Sequence, residues 1–441
     1  MAGHGRNRPD LAVQILAEAR DGIPAETDAM SQARTVMLTV WEHTDEALRE
    51  LDRVDPRRAR TPRLAGLYFI AAVGTLLSAG RPAEALGLAD ELLPLLRGDG
   101  NLFHDGMPLM LRAAALLDLH GPDFALPDAT AAMRECLNSG VDRLICYAGT
   151  QLFAVTLAAG RPRTAARWAR ELISVARGAE HRSFLSIGMS ELAIALAMTG
   201  DAAGARSQLD SLAAEQAPDE LPGPQPSWEI RSHSWTLAAE GQISAAQAAL
   251  LDGADEAGER GQWAAAAELL HDVVRLGGAR SALAGLREAA ERCPSPFVER
   301  QYRHAAAAAE GDVDALQALT EEWAALGCPL IAAETALSAA TAARRQAMAR
   351  RVSLLTARGA ELAARCQGAS TPGLMTADHV DPLSPREREI AALASRGLRS
   401  RDIAESLVVS IRTVDNHVQA VYSKLGISGR RELVDALRGP G

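Results

Sequence analysis

Five side chains near the C-terminus, Arg412, Asp415, Asn416, Gln419 and Ser423, carry hydrogen-bond donors and acceptors at helical spacings. Residues three and four apart share one face of an α-helix. The opposite face holds Val414, Val418, Val421, Tyr422 and Leu425, so one side packs and the other is presented. No nucleophile stands beside a base in this row, and its chemistry is recognition by hydrogen bonding. A DNA major groove, about 12 Å wide, admits one α-helix and displays base-edge donors and acceptors to it. Within such a groove Asp415 repels phosphate but can accept from cytosine N4, which makes it a discriminating residue rather than an attracting one.

The elements that must hold this helix are legible upstream. Ser384, Pro385 and Glu387 form an N-cap, a first-turn proline and the third-position glutamate of a capping box. Ile390, Leu393 and Ala394 then share a face, and Gly397 is placed to end that helix. Ser400 is read as the cap of a short second helix burying Ile403, Ala404 and Leu407. Val408 and Val409 lead through a turn to Ser410, which caps the third helix.

The strings Leu383-Ser-Pro-Arg-Glu-Arg-Glu-Ile390, Gly397-Leu-Arg-Ser-Arg-Asp-Ile-Ala404, Ser410-Ile-Arg-Thr-Val-Asp-Asn-His417 and Lys424-Leu-Gly426 resemble, in order and spacing, the LuxR-type helix-turn-helix. The resemblance implies a four-helix DNA-binding domain over residues 383–438. It places Asn416 and Gln419 at base edges, with Thr413, His417 and Lys424 nearer the phosphates. It extends the DNA-contacting set to Arg399, Ser400, Arg401, Ser410, Arg412 and Asp415. Many family members carry Ser-Asn at Arg399-Ser400 and lysine at Asp415, so base preference does not transfer directly. In the family the last helix pairs two readers, which here gives Leu433, Val434 and Leu437 as an apolar seam. A homodimer on an inverted-repeat promoter site is implied, with half-sites near one helical turn apart.

Charge follows the same division. The 441-residue chain carries a formal −10, yet from Leu383 onward ten Arg plus Lys face seven Asp plus Glu, a net +3 that leaves −13 upstream. Positive charge is thus local to the reader, which argues against nucleic-acid binding spread over the whole chain. Lys424 is the sole lysine. A Walker A loop needs its lysine at the β/γ-phosphates, and a phosphoacceptor receiver uses one beside its acidic pocket, so neither module stands in its usual form. G-x-S-x-G and H-E-x-x-H are also missing, and an enzyme is not expected. Five scattered cysteines without a C-x-x-C pair point to neither a disulfide framework nor a zinc site, and no cofactor is implied. The polar start of the chain does not read as a signal peptide. The apolar run from Leu64 to Ala79 is short for a membrane span. A cytoplasmic protein is expected, associated with the nucleoid when bound to DNA.

Residues 1–9 read as disordered, and residues 10–367 as all-helical, rich in Ala, Leu, Arg and Glu. Gly80, Gly121, Gly160, Gly200 and Gly241 fall 41, 39, 40 and 41 residues apart, with later turns at Gly277 and Gly311. Ala85, Ala165, Ala205 and Ala245 follow at a distance that lets paired helices approach closely. Such units resemble a tetratricopeptide-like solenoid. Four prolines between Pro218 and Pro226 interrupt it with a loop. An arginine-rich helix leads to a flexible tether over 368–382. The whole resembles the C-terminal half of the large ATP-binding LuxR-type regulators of actinobacteria, without the ATPase half. Two readings stand: a sequence-specific transcriptional regulator whose array senses an effector or docks RNA polymerase or another protein, and a repeat scaffold whose reader has lost DNA binding.

Overall fold

A computed structural model describes Thr35 and residues 44–52, 62–96, 106–215, 227–375, 383, 385–407, 409–425, 427, 429, 432 and 433. Among them the chain is all-α. Two early helices, α1 (Thr44–Leu51) and α2 (Pro62–Ser78), precede α3 (Pro82–Leu92), which ends in a 3-10 turn over Leu93–Leu96. Then come α4 (Met107–His120), α5 (Pro122–Ser139), α6 (Asp142–Ala158), α7 (Pro162–Gly178), α8 (Arg182–Met198) and α9 (Ala202–Glu215). The array continues with α10 (Ser227–Ala239), α11 (Ile243–Glu259), α12 (Trp263–Arg275) and α13 (Ala279–Arg292). It closes with α14 (Pro296–Glu310), α15 (Val313–Ala325), α16 (Pro329–Arg345) and α17 (Ala349–Ala363). Among the described residues the reader has three shorter helices, α18 (Pro385–Ser395), α19 (Ser400–Ser406) and α20 (Ile411–Leu425), and its expected fourth falls largely outside them. The proline-rich loop at 218–226 and the seam residues Val434 and Leu437 lie outside the described residues.

Each helix of the array packs on the next, giving stacked antiparallel pairs and hence a helical-repeat solenoid. Gly160 illustrates the joint. At φ +67° it lets its own N–H reach Leu157 O and the Arg161 N–H reach Thr156 O, while Pro162 opens the following helix. The small residues expected after these turns are fully buried at Ala85, Ala165 and Ala205. At the fourth turn the buried residue is Ala246, one position beyond Ala245. The 40-residue period is therefore a helix pair with a second turn halfway. Glycine is not obligatory at the left-handed position of these turns: Glu180, Ala347 and Gln367 themselves adopt φ +55°, +58° and +52°.

The curvature is tight enough that the second superhelical turn seats on the first. Thr164 N–H donates to Gln367 Oε1 at 3.1 Å across 203 residues, and Ser295 Oγ donates to Asp118 Oδ1 at 2.7 Å. A Cβ on Gly121 (φ +85°) would collide with the Leu326 carbonyl oxygen, whereas one on Gly140 (φ +67°) would meet nothing within 4 Å. Gly140→Ala is accordingly expected to cost about 1–2 kcal/mol for the left-handed backbone alone. Gly121→Ala should cost more, because the late turn must also move. Urea unfolding of both variants checks the order, and equal losses would deny the seating contact.

The segment expected to be a free tether is bound along its first part. Ser370 N–H donates to Met198 O at 2.8 Å, Thr371 Oγ1 donates to Glu334 Oε1 at 2.6 Å, and Pro372–Leu374 form a 3-10 turn. Residues 376–382 lie outside the described set. Glu334 belongs to a buried ionic network that links four parts of the array. Arg275 holds it with two bonds of 2.7 and 3.0 Å and reaches Asp272 Oδ1 at 3.0 Å. Asp272 in turn accepts from Arg231 at 2.8 Å and from the Trp235 indole at 2.9 Å.

Nearby, His271 Nε2 and His304 Nδ1 share a 3.0 Å hydrogen bond inside the same core. Burial, helped by the Arg275 charge, lowers His304 from 6.5 to about 4, and burial pushes His271 well below its ordinary value. Between pH 6.5 and about 4 the unfolded chain takes up protons that the folded core refuses, so these histidines lower stability as pH falls through that window. Buried Asp118 and Glu191, raised chiefly by burial, act in the opposite sense. The expected result is therefore differential: His304→Gln flattens the loss between pH 6.5 and 4, read by denaturant titration at stepped pH. An unchanged slope would contradict the assignment.

Candidate nucleic-acid interface

The reader is a small core wrapped by three helices. Leu383, Ile390, Ala391, Leu393, Ala394, Ile403, Ala404, Val414, Val421 and Leu433 are buried together. Gly397, at φ +89°, ends α18 as its position requires, its N–H reaching Ala394 O. Glu387 is buried, while its capping partner Ser384 lies outside the described residues. A tie that spacing did not disclose comes from Arg386, which pairs with buried Glu389 at 2.7 Å and donates to the Leu407 carbonyl at 2.9 Å. Arg386 thereby fixes the end of α19 against α18, and with it the turn between the two outer helices.

The cap of α19 differs from expectation. Ser400 is the first helical residue, the N-cap is Arg399, and the Arg399 N–H donates to Asp402 Oδ2 at 3.1 Å. The aspartate three residues on is long enough to reach back, which serine inside the helix is not. Ser410 does cap α20: its Oγ accepts from the Thr413 N–H at 3.0 Å and lies 2.7 Å from Thr413 Oγ1. The two hydroxyls thus fix the first turn of α20.

Along α20, Arg412, Asp415, Asn416 and Gln419 are exposed, Thr413 and His417 are partly exposed, and Val414 and Val421 are buried. The exposed positions follow steps of three and four, a single hydrogen-bonding stripe turned away from the core. Arg399 and Arg401 are exposed near the start of α19, Arg401 pairing with Glu405 at 3.2 Å, and Ser400 is half-buried beside them. Nothing is described of the Ser423 and Lys424 side chains. Ile411 is a residue the amphipathic pattern did not single out: it opens α20 and is 48% exposed. Leu433, expected on a dimer seam, is instead fully buried in the reader's own core.

The reader also touches the array. Arg396 donates to the Glu240 carbonyl at 3.0 Å, and a Cβ on Gly241 would lie 3.4 Å from that of Ala392. Both contacts use α18 and its C-terminal end, leaving the exposed stripe of α20 uncovered.

Comparison with known proteins places this geometry. The family described as bacterial regulatory proteins, luxR family, matches residues 381–437. An HTH-type transcriptional regulator of Mycobacterium bovis is 51% identical over 53 residues, which are 12% of this chain and 6% of that protein. A Mycobacterium tuberculosis counterpart matches to the same extent. The oxygen regulatory protein NreC of Staphylococcus aureus is 43% identical over 63 residues, 14% of this chain and 29% of NreC. The chain thus covers a small part of each relative's length, and the likeness lies in the reader, a LuxR-family helix-turn-helix domain. Among the described residues no helix is long and apolar enough to cross a membrane.

Proposed function

We propose that this chain, whose residues 381–437 are a luxR-family helix-turn-helix, is a sequence-specific transcriptional regulator acting in the cytoplasm. Its tetratricopeptide-like array senses an effector or docks a protein such as RNA polymerase. The observation that carries the reading is the exposed stripe Arg412, Asp415, Asn416 and Gln419 on a helix whose other face is buried. Asn416 and Gln419 meet base edges, Asp415 selects cytosine N4, and Arg399, Ser400, Arg401, Ser410, Thr413, His417 and Lys424 serve the phosphates. Ile411 joins them as an apolar contact for a thymine methyl. Binding is by a homodimer on an inverted repeat, since one reader of this size covers little DNA. Because Leu433 is buried in the reader core, pairing falls to residues beyond it or to the array.

Control follows from the charge split of −13 against +3 and the contact through Arg396 and Ala392. An acidic array restrains a basic reader, and an effector favouring the released arrangement shifts the balance. The intact chain is compared with a shortened protein beginning near Thr376 on the same promoter DNA. Restraint predicts tighter binding by the shortened protein. If the array also supplies dimer contacts, the intact chain shows the lower dimer dissociation constant. Equal affinity and equal dimerisation would remove the regulatory role.

A further inference from the structure

A cavity of about 640 Å³ lies inside the array, within the range of roughly 300–1,000 Å³ that small-molecule sites occupy. Alternate helices line it, from the end of α2 through α4, α6, α8, α10, α12 and α14 to α16, so it is the axis of the superhelix. Phe153, Leu157, Ile194, Met198, Phe297 and Leu330 give it a largely apolar wall.

Two acceptors on that wall have no hydrogen-bond partner in the protein, Glu191 Oε2 on α8 and Gln301 Oε1 on α14, and the Thr150 hydroxyl on α6 stands beside Glu191. Glu191 and Gln301 are each only 4% exposed. A buried acceptor left unpaired is costly, and two of them on the wall of one cavity call for a donor that the protein does not supply. The other charged groups bordering the space are occupied. Arg231 and Arg275 are held by Glu268, Asp272 and Glu334, and Asp118 accepts from Ser295. With Arg231 and Arg275 already paired, the groups that the lining leaves open are the carboxyl of Glu191 and the amide oxygen of Gln301, which suit a hydrogen-bond donor rather than an anion.

We propose that this cavity binds a small organic amine, whose N–H groups bond to Glu191 and Gln301 and whose apolar body packs on Phe153, Ile194 and Met198. Burial holds the Glu191 carboxyl well above the ordinary carboxylate range, with Thr150 countering only in part. An ammonium beside it restores the charged form. Bound along the axis, the amine touches helices from both superhelical turns at once, α6 and α8 in the first and α14 in the second. The role as effector rests on the regulatory reading above, while the binding chemistry does not.

The test uses the intact chain without DNA and two fluorescent probes, dansylcadaverine, which carries a primary amine, and neutral dansylamide. Saturable, blue-shifted binding of dansylcadaverine is expected, at least about tenfold tighter than dansylamide. Glu191→Gln should erase that preference while leaving dansylamide binding unchanged. In the unaltered protein 2-phenylethylamine should displace dansylcadaverine, and 2-phenylethanol at the same concentration should not. No saturable binding, equal affinity for both probes, or a preference that survives Glu191→Gln overturns the proposal. Promoter binding measured separately keeps the two readings apart: DNA binding without amine binding sinks the cavity assignment alone, and amine binding without DNA binding sinks the regulator alone.

Discussion

Arg275→Met is expected to lower the free energy of unfolding by about 3–5 kcal/mol, the scale of breaking one side of a buried ion pair. The side chains of Arg275 and Glu334 are 6% and 3% exposed, and the guanidinium spans Glu334 on α16 and Asp272 on its own helix while lying 4.6 Å from the centre of the Trp235 ring. Removing it leaves the Glu334 carboxylate buried without its cation, the Thr371 hydroxyl still donating to it. The energy lost is mostly that of an uncompensated charge, not of the bonds themselves. The double variant Arg275→Met with Glu334→Leu should therefore recover a large part of the loss, since exchanging a whole buried pair for apolar groups is often near neutral. Urea titration of the three proteins distinguishes these cases. A single-variant loss below about 1 kcal/mol would place the pair in the range of solvent-exposed bridges.

The second large effect is on DNA. Asn416→Ala and Gln419→Ala are each expected to weaken binding to the cognate site by about 1–3 kcal/mol and to relax base preference there. Together, if the two positions read separate bases, they approach the sum. Replacement of Lys424 should act differently, weakening all sequences about equally and reducing the salt slope by about one unit. Anisotropy titrations on the selected site and its single-base variants give both quantities. Gln419→Ala with an unchanged base preference would mean that α20 lies in the groove in another orientation.

How much of this was legible beforehand depends on how local each cause is. The first three helices of the reader, the Gly397 stop and the Ser410 cap are each decided within a few residues and stand in the structure, while the expected fourth helix falls largely outside the described residues. The α19 cap was misplaced by one residue because Ser400 is a good cap by type, whereas Asp402 reaches the Arg399 N–H and competes for the same turn. In the array the glycine turns mark the 40-residue period, but at Glu180 and Ala347 the left-handed residue is not a glycine, and those turns left no trace. Long-range closure was invisible for a stronger reason. Gln367 meets Thr164 across 203 residues, and Arg275 meets Glu334 across 59, at separations that no periodicity encodes. The ordering of 368–375 has the same origin: its Gly, Ser, Thr and Pro composition reads as a linker, but Thr371 finds the buried Glu334 carboxylate on α16 and Ser370 the Met198 carbonyl on α8.

The stripe on α20 is expected to read base sequence in the major groove. Binding-site selection with the intact chain, followed by salt titration on the selected duplex and a shuffled duplex of equal length, tests it most directly. An enriched inverted repeat is expected, with affinity that falls linearly on a log–log plot against salt and a preference over shuffled DNA of at least about a thousandfold at physiological salt. No enriched motif, with equal affinity for both duplexes at every salt concentration, would contradict it and leave a helical-repeat scaffold carrying a reader that no longer reads.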